Sequence, residues 1–220
     1  MNTKTILLSL LCFVGITTAT AQSDVWVWKG GRAVKTEMAD SITFTAPAPA
    51  RDMYKATTED IGKTIGEDGK IYNNKKHAKA AGTTAVAMIA YVGSETDNAT
   101  YKHGLAIALT DESGTMKWST AKSTCESKNT LPVAGAAWLL PSQNQWKVMF
   151  KANGGNEGSY TGLNSAITTA GGTVLQEYRY WSSSEYDGDR AWRVILYGDV
   201  AYWDDFYKFY DFRVRSCLAF

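Results

Sequence analysis

The residue types that most often carry catalysis are few in this chain and are not spaced for it. The two histidines, His77 and His103, have no metal-ligand spacing, and His103 precedes an apolar strand, where a structural role is expected. There is no Gly-x-Ser-x-Gly motif and no cysteine beside a base. The glycine-rich run at 154–159 lacks the Gly-Lys-Ser/Thr ending of a phosphate loop. We therefore predict no catalytic residues, no cofactor and no enzymatic activity.

Two pairs of acidic residues are the candidate metal ligands. Asp187 and Asp189 flank one glycine, and Asp204 adjoins Asp205. Carboxylate oxygens are the ligands that calcium prefers, but neither pair fits an EF-hand loop. No metal site is predicted, and a calcium site is the weaker alternative.

The densest chemical signal is a segment that combines aromatic and acidic side chains. Between Tyr178 and Phe212 the chain carries thirteen aromatic residues and six aspartates. One buried face of a sheet could not hold so many, and exposed aromatic clusters usually mark interaction sites. Tyr and Phe offer rigid contact area at low entropic cost, and Asp and Arg orient a partner. We predict a binding surface here, with an ordinary aromatic β-core as the alternative.

Strand geometry separates two sets of residues within this segment. Side chains alternate between the faces of a strand, so Trp192, Val194 and Leu196 are predicted to point to the core. The residues predicted to share the opposite face are Arg193, Ile195 and Tyr197. Residues that contact a ligand would therefore lie where they can change without harming the core.

The elements that position this surface can be placed from periodicity and turn signals. A hairpin is predicted over 61–72 with an Asp-Gly turn, and buried strands over 84–92 and 103–109. Ser142 is a good N-cap, and Gln145 holds the capping-box position of the helix that follows. The predicted helices cover 74–81, 119–128, 142–152 and 162–170, and only strands and turns follow residue 176. Helices and strands are mixed without regular alternation, which predicts an α+β fold.

The N-terminal residues resemble an export signal. Lys4 supplies positive charge, residues 6–16 are apolar, and Ala19-Thr20-Ala21 forms a cleavage site. The signal would cover residues 1–21, and Cys12 makes a lipoprotein anchor the weaker alternative. We therefore expect a secreted or cell-surface protein. The apolar run is too short to span a membrane, and no later segment is long enough, so membrane association by a transmembrane helix is not expected.

Two further pieces precede the main domain. Residues 22–46 are predicted to form a short β-hairpin, with strands at 25–28 and 41–44 and a turn at Lys29-Gly30-Gly31. The Pro-containing stretch that follows predicts a linker at 47–52 and a main domain over 53–220.

The net charge bears on the class of partner, and the cysteine content bears on disulfide formation. Of 23 basic and 22 acidic residues, Lys4 falls in the signal, so the mature chain is balanced and nucleic acid is not an expected partner. Two cysteines, Cys125 and Cys217, remain after the signal. In an exported protein they suggest a disulfide, with two buried thiols as the alternative.

Three stretches together resemble one bacterial family. They are IGEDGKIY at 65–72, WLLPS at 138–142 with Trp146, and YWSSSE at 180–185 followed by RVR at 213–215 and the terminal LAF. Over about residues 53–220 the chain resembles the Fibrobacter-succinogenes-type major paralogous domain of Bacteroidetes, a branch of the C-type lectin-like fold. VWVW at 25–28 and DSITF at 40–44 resemble a common leader of exported Bacteroidetes proteins, which implies a Gram-negative bacterium as the source. The resemblance implies mixed antiparallel sheets with two or more helices, preceded by the short hairpin.

The resemblance also bears on the cysteines and on sugar binding. One disulfide of the C-type lectin-like fold joins the first helix to the last strand, which implies a Cys125–Cys217 bridge here. The Glu-Pro-Asn and Trp-Asn-Asp motifs of the calcium-dependent animal lectins are missing. Calcium-dependent sugar binding is therefore not implied.

Some members of this fold are variable proteins of diversity-generating retroelements, in which AAC or AAT codons are randomised at their adenines. Glu, Gln, Met, Lys and Trp cannot arise from these codons. Glu, Gln and Met are absent from residues 186–212, whereas the single Lys208 and the tryptophans there would be fixed or come from another codon. The resemblance therefore implies a variable ligand-binding region at about 178–215. The predicted ligand-binding residues are Tyr186, Asp187, Asp189, Arg190, Arg193, Ile195, Tyr197, Asp199, Tyr202, Asp204, Asp205, Phe206, Tyr207, Phe209, Tyr210, Asp211 and Phe212.

The predicted function is recognition of a macromolecule, protein or glycan, by this diversified surface on an exported protein. One alternative is a fixed adhesin or glycan-binding module of the same fold. The other is an enzyme like the formylglycine-generating enzymes, which would need a reactive cysteine. For the binding surface we expect Tyr202, Phe206, Tyr207 and Tyr210 to be exposed to solvent.

Overall fold

The chain divides into two units, residues 1–49 and 50–220. The computed structural model describes residues 50–131 and 133–220 and, before them, four short strands. In the first unit β1 (Thr18–Ala19), β2 (Val25–Lys29), β3 (Arg32–Thr36) and β4 (Ile42–Thr43) form two antiparallel pairs, β1 with β4 and β2 with β3.

The pairing in the first unit differs from the predicted hairpin. Strand β2 lies where it was expected, but its partner is β3 rather than residues 41–44. Lys29 lies opposite Arg32, so only two residues separate the strands, and so short a connection favours direct pairing. The predicted export signal lies outside the described residues apart from β1. The predicted linker lies outside them up to residue 49, and its last two residues form strand β5 (Arg51–Asp52).

The second unit is α+β, and its larger part is an antiparallel sheet. The strands of this sheet, besides β5, are β6 (Thr64–Gly66), β7 (Lys70–Tyr72), β8 (Ala85–Val92), β9 (Gly104–Ala108), β10 (Ala137–Leu139) and β14 (Cys217–Ala219). They lie in the order β10-β14-β9-β8-β6-β7-β5. A second, smaller antiparallel sheet consists of β11 (Tyr178–Glu185), β12 (Arg190–Tyr197) and β13 (Val200–Tyr207).

The α-helices lie where the sequence predicts them. Within the described residues they are α1 (Lys75–Ala80), α2 (Trp118–Ser127), α3 (Gln143–Ala152) and α4 (Thr161–Ala170). The predicted capping box of α3 is confirmed: Ser142 Oγ accepts from Gln145 N at 3.0 Å, and Ser142 N donates to Gln145 Oε1 at 2.7 Å. None of these helices has the length and apolar character needed to cross a membrane.

The large sheet is buried on both faces at its centre. All residues of β9 and β14 are buried, and alternate side chains enter different clusters. Leu105 and Ile107 pack with α3 and α4, whereas Ala106 and Leu218 pack on the other face. A strand covered on both faces has a continuous apolar sequence, which is why β9 could be predicted as a buried strand.

A third cluster joins the small sheet to α2. Trp118, Ala121 and Cys125 of α2 pack with Trp181 and Ala191 of the small sheet. The indole Nε1 of Trp118 donates to Ser182 O at 2.8 Å. Helix α2 therefore fixes the end of the small sheet where β11 and β12 meet.

The predicted disulfide is absent: Cys125 and Cys217 are both buried free thiols. Ser216 donates to Cys125 Sγ at 3.2 Å, so Cys125 lies on the Ser216 side of the last strand. Adjacent residues of an extended chain point to opposite sides, and Cys217 accordingly packs in the cluster formed with α3 and α4. Burial raises the pKa of Cys125 to about 11 and that of Cys217 well above its ordinary value.

Candidate functional site

The candidate site is built on the small sheet, with β12 in its centre. Tyr180, Val194 and Trp203 lie opposite one another across the three strands. Tyr197 pairs with Val200, so the β12–β13 hairpin closes through two residues. The first of them, Gly198, has a φ of 57°, as in a type II′ turn, where glycine is favoured. The register of the exposed side chains is therefore fixed.

The predicted division of β12 into two faces is only partly correct. Val194 and Leu196 are buried as predicted, at 0% and 1% exposure, but Trp192 is half-buried and packs edge-on against Tyr186. On the opposite face Arg193, predicted to contact a ligand, is only 4% exposed. The outward position predicted for Arg193 is wrong because the chain after β13 folds over this end of the sheet.

Arg193 is enclosed by aromatic rings and one carboxylate. Its Nε and Nη2 donate to the two oxygens of Asp204 at 2.6 and 2.9 Å. Its guanidinium lies over the rings of Phe206 and Phe212, at 3.9 and 4.6 Å from their centroids. Phe212 is itself buried and packs on Trp181 at 4.6 Å. Two of the predicted ligand-binding residues, Arg193 and Phe212, therefore support the surface from beneath.

The other predicted residues lie at the surface. Tyr202, Tyr207 and Tyr210 are 52%, 47% and 46% exposed, as expected, whereas Phe206 is half-buried. The half-buried predicted residues are Arg190, Ile195, Asp204, Asp205 and Phe206. The exposed ones are Tyr186, Asp187, Asp189, Tyr197, Asp199, Tyr202, Tyr207, Phe209, Tyr210 and Asp211. Whether they bind a ligand stays a prediction.

Three exposed rings form what we call the aromatic patch: Tyr207, Phe209 and Tyr210. Phe209 stacks on Tyr207 and on Tyr210, with centroid distances of 5.4 and 4.9 Å. Phe206 lies beneath and contacts Tyr210 at 4.8 Å. Eight of the ten exposed large apolar side chains in the described residues lie between positions 178 and 210, so this exposure is concentrated on one part of the fold.

Ion pairs order the loop beside the aromatic patch. Arg190 pairs with Asp187 at 2.6 Å and with Asp205 at 2.8 Å. The hydrogen bond from Arg190 holds the pKa of Asp187 below its ordinary value. Asp204 is likewise engaged by Arg193. Three of the four acids considered as calcium ligands, Asp187, Asp204 and Asp205, thus already have cationic partners, and no cluster of three metal-ligating side chains occurs within the described residues.

Lys208 is a site residue that the sequence reasoning did not select. Its Nζ donates to the carbonyl oxygens of Asp187 and Gly188 at 2.8 and 2.9 Å, and it lies 4.7 Å from the Trp118 ring centroid. It therefore ties the 186–190 loop to the aromatic patch and to α2. The one sequence feature that could have identified it is that Lys208 is the single lysine in residues 186–212.

Comparison with solved structures finds a similar fold in a bacterial fimbrial protein. The chain is similar to the crystal structure of a fimbrial protein from Bacteroides ovatus ATCC 8483, with a TM-score of 0.54 and 13% identity. The alignment covers 91% of this chain and 57% of that chain. At this identity the similarity concerns the fold alone. No protein-family model and no curated protein matches the chain.

A groove opens at the other end of the small sheet, away from the aromatic patch. Its volume is about 560 Å³. Its lining residues are Glu177, Tyr178, Arg179, Ile195, Leu196, Tyr197 and Tyr202. Glu177, Tyr178 and Arg179 were not among the predicted ligand-binding residues, because that set was chosen from residues 186–212. We call this feature the Arg179 groove.

The sheet is anchored behind the site by a buried hub made of Asp111, Tyr180 and Arg215. Arg215 Nε donates to Asp111 Oδ1 at 2.6 Å, and Tyr180 Oη donates to Asp111 Oδ2 at 2.9 Å. Arg215 also donates to the carbonyl oxygens of Ala108 and Thr173 at 2.9 and 2.8 Å. The hub thereby joins β11 to β9 and to the loop before β11.

Proposed function

We propose that this chain is an exported, surface-displayed binding protein with an adhesin-like role, in which residues 186–212 contact a macromolecular ligand. The observation that carries the proposal is the aromatic patch, which is exposed although Phe206, Phe212 and Trp181 hold it from below. Rigid aromatic side chains on a fixed support give contact area at low entropic cost. The similar fold of a fimbrial protein supports a role at the cell surface.

The remaining features of the proposal come from the sequence. Export would depend on residues 1–21, and the ligand would be a protein or a glycan rather than a nucleic acid. The C-type lectin-like assignment belongs to the proposal as well. The α+β architecture supports it. So do the contacts of α2, which packs against the small sheet and whose Cys125 accepts a hydrogen bond from Ser216, the residue before the last strand.

Adhesion of coated beads tests the proposed function. Beads that carry the chain are applied to surfaces coated with mucin or with extracellular-matrix proteins. The triple variant Tyr207→Ser, Phe209→Ser, Tyr210→Ser should lose most adhesion while its circular dichroism spectrum is retained. The matched control is the double variant Tyr54→Ser, Leu131→Ser. It removes two apolar side chains outside the aromatic patch that are 57% and 85% exposed. Equal adhesion of the patch variant and the control would count against the proposal.

Diversification by a retroelement is a second, finer proposal. It is supported by the distribution of exposure, since ten of the predicted ligand-binding residues are exposed, while Ala191, Val194 and Leu196, which lie between them in β12 and are outside that set, are buried. The test is genomic. A reverse transcriptase gene nearby, with a near-copy of the C-terminal coding segment that carries AAC or AAT at the exposed positions, supports it. Without them the fixed adhesin is the better description.

The enzymatic alternative requires a reactive cysteine. Cys217 is fully buried and its pKa is raised by burial, so the thiolate is disfavoured. We expect neither Cys125 nor Cys217 to react with a thiol-specific reagent in the native protein, and both to react after denaturation. Rapid labelling of Cys217 in the native protein would favour the enzymatic alternative. If neither cysteine reacts even after denaturation, the two form the predicted disulfide.

A further inference from the structure

The Arg179 groove has the size and walls of a small-ligand site. Its volume of about 560 Å³ lies within the roughly 300–1,000 Å³ of such sites. Three tyrosines of its wall, Tyr178, Tyr197 and Tyr202, are 57%, 70% and 52% exposed. A tyrosine offers an apolar ring face together with a hydroxyl group that donates and accepts hydrogen bonds. The wall therefore suits a ring-shaped ligand that carries hydroxyl groups.

Arg179 is a cation without an anionic partner in this wall. Its Nε is shielded from solvent and has no hydrogen-bond acceptor among the described residues. No carboxylate of the described ranges lies within ion-pair distance of it, in contrast to Arg190, Arg193, Arg213 and Arg215. Buried polar groups are nearly always satisfied, and one that is not requires an explanation. A carboxylate from a ligand would supply the missing acceptor and can bind a guanidinium through two hydrogen bonds.

Backbone strain at the neighbouring residue points to the same place. Tyr178 has a φ of 150°, a conformation that residues other than glycine seldom adopt. Its ring centroid lies 4.7 Å from the Arg179 guanidinium carbon. Strained residues are retained where the surrounding structure holds them and cluster at ligand clamps. The strain here places a tyrosine ring over the unpaired cation.

The acids around the groove restrict the class of ligand. Glu177 lies in the wall, and its Oε1 accepts from Gly198 N at 3.1 Å. Asp199 follows Gly198 in the β12–β13 turn. The carboxylate of Glu177 in the wall, together with that of Asp199 on the adjoining turn, disfavours a ligand of several negative charges, such as a nucleic acid or an acidic peptide. Carboxylates can accept hydrogen bonds from hydroxyl groups, so a ligand with one carboxylate and several hydroxyls fits best.

We propose that the Arg179 groove binds a saccharide residue that carries a single carboxylate, such as a hexuronic acid. The carboxylate binds the guanidinium of Arg179, the sugar ring lies against the tyrosines, and its hydroxyl groups face Glu177. The inference rests on the proposed function in one respect, since it specifies a ligand for the same small sheet. It uses residues that the aromatic patch does not.

The test compares two ligands that differ only in the carboxylate. A glucuronate-terminated disaccharide and its glucose-terminated counterpart are titrated into the isotope-labelled chain, and amide chemical shifts are followed by NMR. We expect the acidic sugar to bind about tenfold or more tightly than the neutral one, as for one charge-assisted pair, with shifts centred on residues 177–179, 195–197 and 202. A peptide with two glutamates should bind more weakly than the acidic sugar.

Charge-removing variants complete the test. Arg179→Gln should reduce the affinity for the acidic sugar to that for the neutral one, and Arg179→Lys should retain part of it. Lys79→Gln, which removes an equal charge from the exposed surface of α1, should bind like the unaltered chain. Equal affinity for both sugars, an unaffected Arg179→Gln variant, tighter binding of the peptide, or no binding of the acidic sugar would each overturn the proposal.

The failure of this inference can be told apart from failure of the proposed function. If the acidic sugar does not bind while beads still adhere through the aromatic patch, the groove proposal fails and the proposed function stands. If the sugar binds and the beads adhere with the patch removed, the groove proposal stands and the patch is not the ligand surface.

Discussion

Among the pairs of arginine and aspartate at the small sheet, two differ most in burial: one lies in the core and the other in solvent. In the buried hub, Arg215 is 0% exposed and donates to Asp111 and to backbone carbonyls on two other segments. At the 186–190 loop, Asp187 is exposed and Arg190 half-buried, and their pair lies beside rings that are themselves exposed. The residue types and the distances are alike, and the surroundings differ.

The difference assigns different roles to the two pairs. A buried charge that loses its partner is left without solvation, so breaking such a pair is costly. An exposed pair is solvated in either state and contributes little to stability. The hub therefore holds the frame, meaning the strands and the side chains buried against them, whereas the exposed pair adds little to stability. The following predictions test this division, beginning with the largest expected effect.

Breaking the buried hub should have the largest effect. Asp111→Ala leaves the guanidinium of Arg215 buried without its carboxylate, and Tyr180 without its acceptor. We expect the free energy of unfolding, measured by urea denaturation, to fall by about 3–5 kcal/mol.

The matched control for this variant removes the exposed carboxylate. Asp187→Ala should leave the urea midpoint nearly unchanged, because both partners of this pair reach solvent. The division into frame and surface fails if Asp187→Ala destabilises the chain as much as Asp111→Ala does.

Two phenylalanines of the C-terminal segment sharpen the comparison at nearly the same place. Phe212 is 7% exposed and packs on Trp181 and Arg193, whereas Phe209 is 61% exposed. Phe212→Ala should lower the free energy of unfolding by about 3 kcal/mol through the cavity it leaves. Phe209→Ala should leave stability nearly unchanged and weaken bead adhesion. Strong destabilisation by Phe209→Ala would show that the aromatic patch belongs to the core.

The sequence predicted the regular elements well because their signals are local. The Asp68-Gly69 turn, the N-cap at Ser142 and the apolar run of β9 each report the conformation of neighbouring residues. The concentration of exposed rings after Tyr178 also followed from composition, since one buried face could not hold them. These predictions needed no knowledge of which distant segments meet.

What the sequence could not show depends on long-range packing. The alternation of side chains along β12 predicts that Arg193 is exposed, but Phe206 and Phe212 cover it. Cys125 and Cys217 come near each other but on different sides of the last strand. Two of the three stretches behind the family resemblance meet where Ser183 N donates to Pro141 O at 2.9 Å. No sequence spacing reveals such contacts.

Asp60 extends the comparison to a buried carboxylate in another part of the unit. Burial alone would raise its pKa, but hydrogen bonds from Lys63, the amide of Thr57 and Arg51 outweigh that and lower it to about 2. A lowered pKa in the folded state stabilises the protein above the unfolded value of 3.8 and ceases to do so as the pH falls through about 2.

This shift corresponds to about 2 kcal/mol of stability that should disappear across that interval. Unfolding by urea at a series of acidic pH values measures it. Asp60→Asn should be less stable near neutrality and should show a flatter decline in acid. The same acid dependence in both proteins would assign the loss to other carboxylates.

Ser142 is half-buried, so its exposure lies between that of the buried hub and that of the exposed Arg190–Asp187 pair. Its hydroxyl accepts from Gln145 N and donates to Asp97 at 2.5 Å, so it closes the first turn of α3 and joins it to a loop. Ser142→Ala should cost about 1 kcal/mol, as for loss of an N-cap. Ser165→Ala, at an exposed position within α4, is the control and should cost nothing, because alanine favours the helix.

The size of the Ser142 effect matters for the comparison because α3 carries Trp146. That ring packs against Tyr180 of the buried hub, with a centroid distance of 6.0 Å. If the cap only ends a helix, Ser142→Ala and Asp111→Ala should lower stability independently, and their effects should add. If the double variant loses much less than the sum, the start of α3 and the hub act as one unit, and the frame extends from the core to the surface at Ser142.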